Sequence, residues 1–244
     1  TLPLPGDSLP AVRLTAVTQE LKSVVIEATR SNRSIDQIPT RVEVLTDEVE
    51  EAAIMDPGKV AHLLTHSTGL QVQQTSATSG AANVRIQGLD GRYTQLLRDG
   101  FPLYGGFSGS LSIMQVPPLD LRQVEFIKGS ASTLYGAGAI SGLINLVSIE
   151  PTAQPRNVVH LNASHVGAVD VNAFAARKWE KIGMTLLAAR NSQQAYDPNH
   201  DGYADLPQVV KYSVQPRLYF YPGPRAKIWV GATLNDEKRT GGDM

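Results

Sequence analysis

Three glycines, Gly136, Gly138 and Gly142, crowd the stretch VEFIKGSASTLYGAGAISGLINLV from Val124 to Val147. Glycines between two apolar runs either cradle a phosphate on backbone N–H groups or admit close packing where a Cβ would collide. Their spacing misses the dinucleotide fingerprint by one residue, with Ser141 where glycine is required. The packing reading is therefore favoured, with a one-turn helix folding back onto a strand from Leu143 to Val147.

Two other groupings could hold a metal. DPNHDGYAD, Asp197 to Asp205, places oxygen ligands at positions 1, 3, 5 and 9 of a calcium-type loop, with Gly202 at position 6. Position 12 is Gln208, so the bidentate carboxylate is missing. A weak extracellular Ca2+ site through Asp197, Asn199, Asp201 and Asp205 and a plain Asp/Asn-rich turn both remain open. His62 and His66 stand four apart, a metal-compatible helical spacing, but without the acidic residue of a zinc-protease motif they read as surface histidines. No Gly-X-Ser-X-Gly elbow and no thiol nucleophile occurs, so no enzyme activity and no required cofactor are expected.

The chain of 244 residues balances 22 basic against 23 acidic side chains, which leaves no electrostatic footprint for nucleic acid. It has no cysteine, excluding disulfides and thiolate metal sites. No stretch reaches the ~18 apolar residues of a membrane helix, but membrane β-strands need only alternation over about 9–11 residues.

The elements that must position these residues fall into three parts. Residues 1–30 are a Pro-punctuated linker ending in ELKSVVIEATR, a short β-branched run. Residues 31–150 read as a mixed α+β domain. RVEVL alternates as a strand; DPGKVAHLLTHS has Asp56 at an N-cap, Pro57 at N1, and Val60, Leu63 and Leu64 on one helical face. GLQVQQT, ANVRIQGL, YTQLLRDGFPL, LRQVEFIKG and SGLINLVS are further strands.

From residue 151 the grammar changes to five successive segments of barrel-strand length, at 157–166, 168–179, 182–191, 209–221 and 226–237. In the fourth, Val210, Tyr212, Val214, Pro216, Leu218 and Phe220 share one face, and Lys211, Ser213, Gln215 and Arg217 share the other. Such alternation fits a half-buried soluble sheet or a lipid-facing barrel. Tight connections (WEKIG, YPGPR) alternating with a long one at 192–208, and aromatic residues near strand ends (Trp179, Tyr219, Phe220, Tyr221), favour the barrel.

VRIQGLDGRYTQLLRDGFPL (Val84 to Leu103) and VEFIKGSASTLYGAGAISGLINLV together resemble the plug domain of TonB-dependent outer-membrane receptors, of the siderophore and cobalamin type. The resemblance covers the chain from about Glu20 onward. It implies an α+β plug domain followed by the first strands of a transmembrane antiparallel β-barrel, with about 22 strands in a whole receptor. Five strands cannot close a barrel in lipid, so the chain reads as part of a longer protein.

The same resemblance implies a TonB box at Val24, Val25, Ile26, Glu27 and Ala28, and a plug apex with Ser79, Asn83, Tyr104, Phe107 and Ser108 at the ligand. It implies a plug–barrel lock at Arg85 and Lys128. Family members carry Arg where this chain has Gln87 and Lys128, and those arginines meet barrel glutamates. The implied partners are TonB with its inner-membrane energising complex, outer-membrane lipid, a surface lipoprotein over the barrel, and a scarce ligand. A ferric siderophore comes first among ligands, cobalamin next, haem third. The competing expectation is a soluble β-rich binding module, which would purify without detergent.

Overall fold

The computed structural model describes residues 25–26, 33–34, 42–55, 60–65, 67–76, 81–107, 116–130, 135–224 and 226–243. Two sheets dominate. The first has five strands in the order β3-β8-β9-β6-β7: Val42–Leu45, Leu121–Lys128, Gly142–Ser148, Thr94–Arg98 and Phe101–Phe107. Only β6 and β9 run parallel.

Each face of this sheet carries its own apolar cluster. On one, helix α1 (Asp47–Met55), helix α2 (Ala61–Thr65) and the hairpin β4–β5 (Leu70–Ser76, Ala81–Ile86) pack over Leu96, Val124, Phe126, Ile144 and Leu146. On the other, Ile26 packs with Leu97, Ile127, Ala139 and Leu143. Ile26 belongs to β1 (Val25–Ile26), which pairs with β2 (Arg33–Ser34).

Val60, Leu63 and Leu64 are fully buried, as the helical periodicity requires. The expected cap at Asp56 and Pro57, and His66, lie outside the described residues. Helix α1 has no counterpart in the sequence reading. It opens with Asp47, Glu48 and Glu50, which suit a helix N-terminus, and it buries Val49, Ala52 and Ala53. Its nine residues hold too few large apolar side chains for the period to stand out.

The glycine cluster behaves as a packing device. At Gly142 φ is +143°, and a Cβ would stand 2.1 Å from the Ile127 carbonyl oxygen. Gly136 is also left-handed, at φ +78°. The neighbouring amides are committed within the fold: Gly129 donates to Ser141, Ser141 to Tyr93 and Ala139 to Gly136. These N–H groups are not aimed at a phosphate.

The second sheet is an antiparallel meander of β10 (Arg156–Ala163), β11 (Val169–Trp179), β12 (Ile182–Gln193) and β13 (Gln208–Gly223). Both β14 (Ala226–Gly231) and β15 (Leu234–Thr240) then pair with β13. The fifth expected segment is thus interrupted, and the cause is Pro216. The registers Arg217 with Gly231 and Val214 with Leu234 are continuous. Ala232 N–H donates to the Pro216 carbonyl at 3.1 Å, but proline has no N–H to return. The ladder lapses there without a slip.

Candidate functional site

The second sheet is apolar over its outer face, while its inner face is polar apart from a patch at Phe174, Ala176 and Leu187 and the ring of Tyr219. On β13, Lys211, Ser213, Gln215 and Arg217 are buried, whereas Tyr212, Val214, Leu218 and Phe220 are exposed. Val159 and Leu161 on β10 are each 70% exposed, while Asn172 on β11 is completely buried. A water-soluble sheet with this polarity would hide its amides and display its hydrocarbon. Facing lipid, the arrangement is the stable one.

The outward aromatic residues mark the band's edges. Trp179 and Phe220 stand at one end of the sheet and Tyr212 near the other. From 212 to 220 a strand rises about 26 Å, or roughly 20 Å along the barrel axis at a tilt of ~40°, near the ~25 Å of an outer-membrane apolar belt. Arg177 lies over the Trp179 ring and Arg190 over the Tyr212 ring, with their charges at those edges. The turn at 180–181 is short, and the long connection 194–207 lies at the opposite end.

The first domain seats against the inner wall of this sheet. Ala53 and Leu119 pack with Phe174, Ala176 and Leu187, and Ile149 and Val158 flank them. Gly183 makes the chain's exit possible, since a Cβ there would stand 2.7 Å from the Pro151 ring. Phe101 meets Trp229 edge-on at 6.1 Å. An α+β domain packed on the inner face of a sheet that shows its apolar side chains outward is the arrangement of a plugged barrel.

A family profile described as TonB-dependent Receptor Plug Domain matches residues 34–143. The chain carries a TonB-dependent receptor plug domain. The strands that follow the plug are the start of its outer-membrane β-barrel. Among relatives, the vitamin B12 transporter BtuB of Vibrio vulnificus is 26% identical over 167 residues, covering 68% of this chain and 27% of that protein. The ferrichrome outer membrane transporter/phage receptor of Escherichia coli is 29% identical, over 55% of this chain and 18% of that protein. The chain thus spans less than a third of these relatives, which are transporters and receptors rather than enzymes. In fold it resembles the pyoverdine outer membrane receptor FpvA of Pseudomonas aeruginosa, with TM-score 0.73, 20% identity, and coverage of 93% of this chain and 32% of that one.

Of the residues expected to form a TonB box, Val25 and Ile26 form β1, opposite Ser34 and Arg33, and Ile26 is completely buried. Val24, Glu27 and Ala28 lie outside the described residues. Of the ligand candidates, Asn83 is half-buried on β5 opposite Gln73. Tyr104 and Phe107 lie on β7, one of the two edge strands of the five-stranded sheet. Ser79 and Ser108 are outside the described residues.

The two lock candidates differ. The Lys128 ammonium donates to the Glu43 carboxylate and the Thr68 carbonyl, contacts internal to the plug. Arg85 on β5 keeps a buried Nε without a hydrogen-bond partner.

The loop after β12 folds on its own side chains. Asp197 accepts from the His200 and Gly202 amides at 2.8 and 3.0 Å, and Asp201 accepts from Tyr203 at 2.8 Å. Asn199 donates to Asp201 at 3.1 Å, and the Asp205 amide donates to the Tyr196 carbonyl at 3.0 Å. Among the described residues, no three His, Asp or Glu side chains converge on a metal position.

The sequence reading missed the charged contacts that join plug to wall. Arg217 Nη1 donates to Asp99 Oδ2 at 2.6 Å, with the two side chains 8% and 15% exposed. Lys227 pairs with Glu150, and Arg156 lies 4.0 Å from Glu50, both at exposed positions. In each pair the acid belongs to the plug side and the base to the barrel. The available signal was Arg217 itself, a cation on the polar face of a strand whose other face is hydrocarbon.

Proposed function

We propose that the whole protein is an outer-membrane active-transport receptor. It binds a scarce ligand, foremost a ferric siderophore, outside the cell and imports it with energy transmitted by TonB, doing no bond chemistry itself. The observation that carries this reading is the plug seated on the inner face of a sheet whose outer face is apolar and exposed. A receptor so closed needs outside energy to open, and β1 is a short strand of the kind that a partner sheet can capture by main-chain pairing.

In the working cycle, ligand contacts at the plug apex (Ser79, Asn83, Tyr104, Phe107 and Ser108) favour release of residues 24–28 toward the periplasm. TonB then adds to that strand, and traction rearranges the plug. Arg85, with its unpaired buried Nε, is the better placed of the two lock residues to meet a carboxylate on the rest of the barrel. A surface lipoprotein and a Ca2+ ion in the 192–208 loop are accessory parts of the proposal.

Cobalamin is the second reading, favoured by the vitamin B12 transporters among the relatives. Growth of a deletion strain on single iron or cobalamin sources separates the two. Loss of growth on one ferric siderophore supports the first, loss on cobalamin alone supports the second, and no loss on any source contradicts both.

A further inference from the structure

The geometry points to a registry role for the Asp99–Arg217 pair: it specifies the one seat to which the plug returns after displacement. This rests on the receptor reading, because only a plug that moves needs a way back.

Both halves of the contact are built in advance. On the wall, Gly231 leaves space that a Cβ would take, since it would stand 2.7 Å from the Arg217 Cγ. The guanidinium then lies 5.3 Å from the Trp229 ring. On the plug, Asp99 holds a left-handed backbone at φ +51° in the β6–β7 turn. Its carboxylate accepts from the Ser148 amide at 2.7 Å and the Ser148 hydroxyl at 3.0 Å. Arg98 donates to the Ser148 hydroxyl at 3.2 Å and pairs with buried Asp120. The result is a cluster of two carboxylates and two guanidiniums that is charge-balanced only when the plug is home.

The other contacts across this seam do not discriminate between seats. Phe174, Ala176 and Leu187 against Ala53 and Leu119 are apolar and would survive a small slide. The Glu150–Lys227 and Glu50–Arg156 pairs are exposed, so they are weak. A shifted plug would leave Arg217 facing its wall neighbours Ala176, Thr185 and Gly231, none of which carries a charge. Buried ion pairs add little net stability, because desolvation offsets attraction, but they penalise wrong registers strongly.

The test uses the full-length receptor in planar bilayers, driven open with urea and then washed. Wild type is expected to conduct in urea and to reclose on washout. Asp99→Asn keeps the left-handed turn and an oxygen for Ser148, since Asn adopts positive φ readily. The double variant Asp99→Asn/Arg217→Met also leaves no unpaired charge. Both should start closed and retain a severalfold higher conductance after washout. Full reclosure of the double variant overturns the proposal. So does a leak of equal size before and after urea, which would mark the pair as a plain structural contact. A wild type that never conducts in urea would instead contradict the receptor reading itself.

Discussion

Lys128 and Glu43 form an ion pair across two neighbouring strands of the plug, and the lysine side chain is only 2% exposed. β3 and β8 are antiparallel here, with Val42 opposite Ile127, so the pair sits at the sheet's outer strand. The same ammonium donates to the Thr68 carbonyl at the start of the β4–β5 hairpin. One charge thus ties three segments of the plug together. Lys128→Met should destabilise the plug by about 2–3 kcal/mol, below the 3–5 kcal/mol of a fully buried pair because Glu43 keeps some solvent. Urea unfolding of the plug in the intact receptor measures this, and an unchanged midpoint would remove Lys128 as a structural tie.

Gly142 is the least replaceable glycine. Gly142→Ala meets the Ile127 carbonyl and an unfavourable φ together, and strain of this kind alone costs about 1–3 kcal/mol. Gly138→Ala meets only the mobile end of Gln95 and should cost clearly less. Comparable losses in thermal unfolding for both variants would contradict the packing account.

Much of this was legible in the residues. The apolar face of β13 and the buried trio Val60, Leu63 and Leu64 follow from period alone, because burial on one face leaves period 2 or 3.6 in the chain. The interruption at Pro216 was equally visible in principle, yet proline on the exposed face of an alternating strand reads first as one more apolar residue. Asp99–Arg217 was not legible. It joins positions 118 residues apart, and no local pattern encodes which inward cation meets which turn. The ligand site was legible only through family resemblance, and it falls largely on residues whose side chains the structure does not describe.

The lipid-facing assignment predicts a sharp asymmetry on one strand. Leu218→Arg, on the outward face between the middle of the apolar band and its Phe220 edge, should cost about 1–3 kcal/mol. Ser213→Thr, on the inward face, should be tolerated. Outer-membrane assembly, followed by heat-modifiable migration of the folded barrel, reads both. Normal assembly of Leu218→Arg would contradict the orientation of the sheet.

Pro216→Val should return the missing N–H to the ladder and join β14 to β15. The expected gain is about 0.5–1.5 kcal/mol, the net worth of one hydrogen bond. Slower amide exchange around residues 232–233 would accompany it, and unchanged exchange would show that something else interrupts the strand.

Asp90 caps the turn at Gly91–Tyr93, and the Arg92 backbone N–H, 3.0 Å away, holds its carboxyl below the usual carboxylate range. Because the folded value is depressed, the cap's contribution is present above the ordinary carboxylate range and is lost as pH falls through the lowered value. Asp90→Asn should therefore speed amide exchange of this turn at neutral pH. The difference from wild type should fade in acid, and a difference that persists there would exclude the ionised cap.

The central claim is tested most directly by uptake of radiolabelled ferric siderophore into cells carrying the full-length receptor, with and without Val25→Pro. Proline removes a main-chain donor from the strand that TonB would capture. The account predicts saturable, energy-dependent accumulation that Val25→Pro abolishes while surface binding of the siderophore persists. Accumulation that continues undiminished in that variant would contradict it.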